Sequence, residues 1–108
     1  MELVIRQTRV GATPVLQLSG EVDLATLPRL ADALMRFAVE AIVAAVDVDG
    51  VHVMDDTALG LLLGAAGRAR QAGGDIVVIC NEGLLRDRLA LTGFDRAVRV
   101  ADRIAALH

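Results

Sequence analysis

The chain has 108 residues, 55% of them apolar, and a net charge of −3. That length suits one compact domain, residues 1–108, whose core needs no metal or disulfide staple. All 11 basic residues are scattered arginines, and Phe37 and Phe94 are the only aromatics. A nucleic-acid binder wants a positive groove with stacking rings, and neither is readable here. The chain also lacks lysine, which weakens a P-loop nucleotidase, a Schiff-base enzyme and a phospho-aspartate receiver together.

"ELVIRQTRV" reads as a first strand, "GATP" as a turn, and the alternating "VLQLSG" (15–20) as a second strand, so the chain opens with an antiparallel hairpin. Next, Leu27, Leu30, Ala31, Leu34, Phe37 and Ala38 recur at helical spacing. Thr26 or Asp23 can cap that helix, and Pro28 suits its first turn. "AIVAAVDV" (41–48) is nearly all apolar, as in a strand covered on both faces. A second helix is expected from about Thr57 to Ala72, stopped by Gly73-Gly74. "DIVVIC" (75–80) is a further buried strand. A third helix in "EGLLRDRLALTG" carries Leu84, Leu85, Leu89 and Leu91, followed by a short strand "AVRV" and a last helical turn or two in "DRIAALH". The expected fold is α/β: a mixed, mostly parallel sheet of about five strands with four helices.

The junction "VHVMDDTALGLLLG" (51–64) sets two carboxylates and a hydroxyl between a strand and a helix. Thr57, Asp55 or Asp56 can each cap the helix, and the acids complement its dipole. One cap needs one side chain, whereas three polar residues stand here. In the helix beyond, Leu59, Leu62, Leu63 and Ala66 make an inward sector, and Gly60, Gly64 and Gly67 gather on a separate stripe. Each glycine costs a helix ~1 kcal/mol against alanine, so the stripe points to close approach by this domain's own sheet or by a partner. Leu61 projects away from the inward sector, as a stray exposed leucine or as part of a contact patch.

The segment "VDVDGVHVMDDTALGLLLGAAGRARQAGGDIVVI" resembles the central part of STAS-domain proteins, specifically the bacterial anti-sigma-factor antagonists, and "LSGEVDLAT" and "LLRDRLALTGFDRAVRV" extend the likeness over almost the whole chain. The resemblance implies a STAS fold and a regulatory binding protein, not an enzyme, with no cofactor. It implies that Thr57 accepts a phosphate from a kinase-type anti-sigma factor. The unphosphorylated form binds that partner, and a phosphatase restores it. Asp55 matches the leading acid of the hinge, and Asp23 the acid of the loop after the second strand. Asp23, Asp55, Asp56, Ala58, Gly60 and Leu61 are then the expected partner-binding residues. Two positions depart from the family pattern: Asp56 stands where a serine is usual, and Ala58 where a glycine is usual. These departures favour an alternative, an unphosphorylated STAS scaffold or accessory subunit of a sensory or lipid-transport assembly.

A small enzyme built on the acids is a third reading, but no nucleophile–base pair is readable. Asp47 and Asp49 are expected to end a strand and solvate a turn with Gly50 rather than to hold magnesium. His52 is expected to be a plain strand residue and His108 a terminal one. Cys80, the only cysteine, is expected to fill a buried strand end and excludes an internal disulfide. It favours a reducing compartment, the cytosol. No apolar run approaches the ~20 residues that cross a bilayer, and "MELVIRQTRV" lacks a signal-peptide core.

Overall fold

The computed structural model describes residues 2–37 and 43–103. The elements run β1 (Val4–Val10), β2 (Thr13–Val22), α1 (Leu27–Arg36), β3 (Val43–Met54), α2 (Asp56–Gln71), β4 (Asp75–Ile79), α3 (Leu84–Leu91), α4 (Phe94–Ala97) and β5 (Arg99–Ala101). The five strands lie side by side in chain order. β1 and β2 are antiparallel, and the other pairs are parallel. This is the mixed α/β architecture expected from the sequence.

Each parallel pair is joined by a helical crossover. Crossovers of one hand between successive neighbours set their helices on one face of the sheet. The main core forms there. Leu16, Val46 and Val78, in register across β2, β3 and β4, meet Leu30 and Leu34 of α1, Leu62 and Ala66 of α2, Leu89 of α3 and Phe94 of α4. Val15, Ala45 and Val77 alternate with them and so point to the other face, where they join Ile79 and Ala101 in a smaller buried cluster. The apolar run of β3 is therefore buried on both faces.

The sequence reading differs from the structure in three places. β3 runs through Asp49 and Gly50 to Met54, joining the strand expected at 41–48 to the strand residue His52 in one element. Between Gln17 and Ser19 of β2 it advances from Asp47 to Gly50, and between Gly20 and Glu21 from Val51 to Val53, one extra residue each time. Such bulges break the two-residue alternation by which a strand is recognised. Asp49 and Gly50 thus lie within a bulged strand, not in a solvated turn. Secondly, the short helix α4 intervenes before β5, started by Gly93 at φ +78° and anchored by buried Phe94. Thirdly, the expected C-terminal helical turns fall mainly on residues 104–108, outside the described residues, as does Ala38.

The turn between β1 and β2 is the pair Gly11-Ala12. Gly20 has φ +95°, and a Cβ there would stand 2.1 Å from the Glu2 carbonyl oxygen. Only glycine lets the lead-in to β1 pass this close to β2.

Candidate functional site

The sheet register builds the site. Val22 at the end of β2 pairs with Met54 at the end of β3, so the next residues, Asp23 and Asp55, leave neighbouring strands ~5 Å apart. The Asp55 N–H donates to the Val22 carbonyl at 2.8 Å and ties the two exits together. Both loops therefore open at the carboxyl ends of parallel strands, where ligands and partners of α/β sheets commonly meet the fold.

On the α2 side, Asp55 is the N-cap, and its Oδ1 accepts from the Thr57 N–H at 2.8 Å. That N–H, and next the Thr57 hydroxyl, hold the Asp55 carboxyl below the usual carboxylate range; the Arg88 charge adds to this. Thr57 itself is exposed at the first turn of α2. Its hydroxyl lies against the Asp55 carboxylate, at the positive end of the helix dipole.

On the β2 side, Asp23 Oδ1 accepts from the N–H groups of Ala25 and Thr26, both at 3.1 Å. The Thr26 hydroxyl accepts from the Asp23 N–H and donates to the Glu21 carbonyl, each at 3.0 Å. Thr26 is the residue before α1 but makes no cap bond to that helix. Asp23 and Thr26 instead knot the loop into a fixed shape. Leu24, at its tip, is 74% exposed.

Both departures from the family pattern have a structural account. Ala58 is fully buried, with its methyl in the main core. It was expected on the partner face; at the third helical position its Cβ turns inward instead. Asp56 is exposed, but Arg88 of α3 pairs with its carboxylate and also donates to the Met54 carbonyl. No local pattern reports a contact between residues 32 apart in sequence, so Arg88 is a site residue that sequence reasoning missed. Exposed Leu24 was missed because burial, not residue type, marks it.

Further along α2, a Cβ at Gly60 or Gly67 would meet nothing within 4 Å, and one at Gly64 only the Arg68 side chain. The glycine stripe faces away from the sheet, which removes one of its two readings. Leu63, expected inward, is 39% exposed, while Ala65 takes a core position. Leu61, expected to project away, is half-buried against the core. Leu59, Leu62 and Ala66 are buried as expected, and the inward stripe is completed by Ala58 and Ala65 rather than by Leu63.

Asp47 and Asp49 have structural duties. Asp47 Oδ1 accepts from the Asp49 N–H at 2.9 Å, and the Asp49 carboxylate takes both the backbone N–H and the side-chain amide of Asn81. Burial pushes the Asp47 carboxyl up. Burial, followed by the nearby Asp49 charge, pushes the Cys80 thiol up to about 11. The thiol is therefore protonated at neutral pH and a poor nucleophile. His52 is an exposed residue of β3. Among the described residues, no helix is long and apolar enough to cross a membrane.

A five-stranded α/β sheet with its helices on one face is the architecture of a small STAS-type domain, and the comparisons with known proteins agree. The sequence profile of the STAS domain matches residues 4–107. An anti-sigma-B factor antagonist of Listeria monocytogenes is 31% identical over 83 residues, covering 76% of this chain and 73% of that protein. An anti-sigma factor antagonist from Mycobacterium paratuberculosis superposes with a TM-score of 0.87 at 19% identity, over 97% of this chain and 90% of that one. The Bacillus cell fate determinant SpoIIAA in its phosphorylated form superposes with a TM-score of 0.70 at 17% identity, over 96% of each chain. The protein belongs to the STAS-domain family of anti-sigma-factor antagonists.

Proposed function

We propose that the protein antagonises a kinase-type anti-sigma factor in the cytoplasm. Unmodified, it binds that factor and frees a sigma factor for transcription; phosphorylated on Thr57, it is released, and a phosphatase resets it. The observation that carries this reading is the exposed Thr57 at the start of α2, its hydroxyl held beside the Asp55 carboxylate. The fold relatives support it, one of them a structure in a phosphorylated form.

The chemistry needs little from this chain. The bond between the γ-phosphorus of ATP and its bridging oxygen breaks, a bond from that phosphorus to Thr57 Oγ1 forms, and ADP leaves. The hydroxyl proton goes to a base of the kinase, which also supplies Mg²⁺ and nucleotide. This chain contributes an accessible acceptor on a rigid element and acts as a binding protein, not a catalyst.

The phosphate adds nearly two negative charges at a helix N-terminus, which tolerates them well. The domain keeps its fold, and the effect falls on the partner. One like charge ~6 Å away at an effective dielectric of ~20 costs ~3 kcal/mol, roughly a hundredfold in affinity. The docking surface comprises Asp23 and Leu24 on one loop and Asp55, Asp56, Thr57 and Gly60 on the other, with half-buried Leu61 behind them. Ala58 supports it from within.

The test is incubation with ATP and each anti-sigma kinase encoded in the same genome, followed by phosphopeptide mapping. Phosphate on Thr57, lost in Thr57→Ala, is expected. A stable complex indifferent to both Thr57→Ala and Thr57→Glu would replace this reading with that of an unphosphorylated scaffold.

A further inference from the structure

Asp56 and Arg88 lie on different elements, yet one guanidinium joins three of them. Arg88, from α3, donates through Nη1 to the carbonyl of Met54, the last residue of β3, and through Nη2 to the carboxylate of Asp56, the first residue of α2. Its side chain remains 35% exposed, so it is open to an incoming group, and Asp56 is 79% exposed. The Arg88 charge also reaches the Asp55 carboxylate, which itself holds the Thr57 N–H. A guanidinium has five N–H donors in a planar fork, and two are committed here. The charged groups that contacts and sheet register bring to the Thr57 hinge are Asp55 and Asp56 on the hinge itself, Arg88 from α3 and, across the β2–β3 register, Asp23.

We propose that Arg88 is the receiving cation for a phosphate on Thr57, exchanging the Asp56 carboxylate for the phosphate oxygens and so leaving the exposed Asp56 carboxylate unpaired. The proposal rests on the reading of Thr57 as the phosphoacceptor. Its physical basis is a competition. An exposed carboxylate pair is a weak hold. A phosphate next to it carries about twice the charge and offers three oxygens in a geometry that a guanidinium grips at two points. The exchange gives the serine-to-aspartate departure a purpose. In the unmodified chain Asp56 is masked by Arg88 and does not imitate the phosphorylated state. After modification, the partner meets an unmasked carboxylate in addition to the phosphate.

The test uses the full chain with phosphothreonine installed at position 57 by genetic encoding. The second ionisation of the phosphate is followed by phosphorus NMR in the wild type, Arg88→Gln and Asp56→Asn. The midpoint is expected to rise in Arg88→Gln by about 0.5 pH units or more, a threefold or larger gain in proton affinity, and not to rise in Asp56→Asn. In the wild type labelled with ¹⁵N-arginine, the Arg88 side-chain signal should move on phosphorylation and then become insensitive to Asp56→Asn. An Arg88→Gln midpoint equal to that of the wild type, or an Arg88 signal that still responds to Asp56→Asn in the phosphorylated chain, would overturn the proposal. Because the phosphate is installed during synthesis, either failure leaves the kinase reading standing. Conversely, a positive Arg88 result in a chain that no kinase modifies would count against that reading alone.

Discussion

Ala58 offers a sharp check on how the hinge is built. Glycine is usual at this position in the family, so Ala58→Gly restores the common residue. A surface view predicts that this change eases partner docking at no cost. The structure predicts the opposite balance, because the Ala58 methyl is fully buried in the main core. Its removal forfeits the burial of one carbon, worth ~0.8 kcal/mol. Glycine in a helix adds ~0.5–1 kcal/mol of backbone entropy, the lower figure applying in the first turn. The expected loss is about 1.3 kcal/mol, which for a domain of this size lowers Tm by roughly 5–10 °C. Urea unfolding should show the midpoint falling by a little under ~1 M with an unchanged slope, while affinity for the anti-sigma factor stays within about a factor of two, ~0.4 kcal/mol. Unchanged stability with markedly tighter binding would mean that the methyl faces the partner, and would refute the reasoning.

Four further outcomes follow from the geometry. Gly20→Ala forces a Cβ to 2.1 Å from the Glu2 carbonyl at φ +95°; unfolding should become easier by at least ~2 kcal/mol, counting backbone strain and the displaced lead-in to β1, and a near-neutral result in urea denaturation would contradict the account. Gly60→Ala meets no atom, so it should stabilise α2 by ~0.5–1 kcal/mol while weakening the complex with the anti-sigma factor; if binding is unaffected, that part of α2 is not a docking face. The Asp55 carboxyl is held low by the Thr57 N–H and hydroxyl. A depressed carboxylate adds stability above its unfolded pKa and loses it as the pH falls through the folded value, so the stability gap between wild type and Asp55→Asn should be full at neutral pH and close below pH ~4; a gap constant from pH 7 to 3 would remove the cap interaction from the argument. Cys80, with its thiol pushed up to about 11 by burial, should resist a thiol-specific disulfide reagent at pH 8 until the protein unfolds, and fast labelling of the native chain would show that the β4 end is open.

Much of this architecture was legible because the elements announce themselves locally. Leu27, Leu30, Leu34 and Phe37 mark α1 by their spacing and are all buried. Gly73-Gly74 ends α2 as expected, with the Gly74 N–H turned back to the Ala69 carbonyl at 2.8 Å. What escaped was non-local or irregular. The two bulges of β3 depend on its pairing with β2, which no window of β3 contains. Helix α4 is a single turn, too short for periodicity to register. At the hinge, residue types identified Asp55 and Thr57 as cap and hydroxyl, but the proximity of Asp23 comes from the β2–β3 register and the partnering of Asp56 comes from α3. Leu61 and Leu63 were misplaced because three glycines interrupt the stripe used to orient α2.

The account turns on Thr57 acting as a charge switch for a docked protein. Its most direct test is calorimetric titration of the anti-sigma factor with the unmodified chain and with the chain bearing phosphothreonine at position 57. The account expects tight binding of the first and affinity weaker by roughly a hundredfold for the second, the size of one ~3 kcal/mol repulsion, with both chains folded by circular dichroism. Equal affinities for two equally folded chains would contradict it.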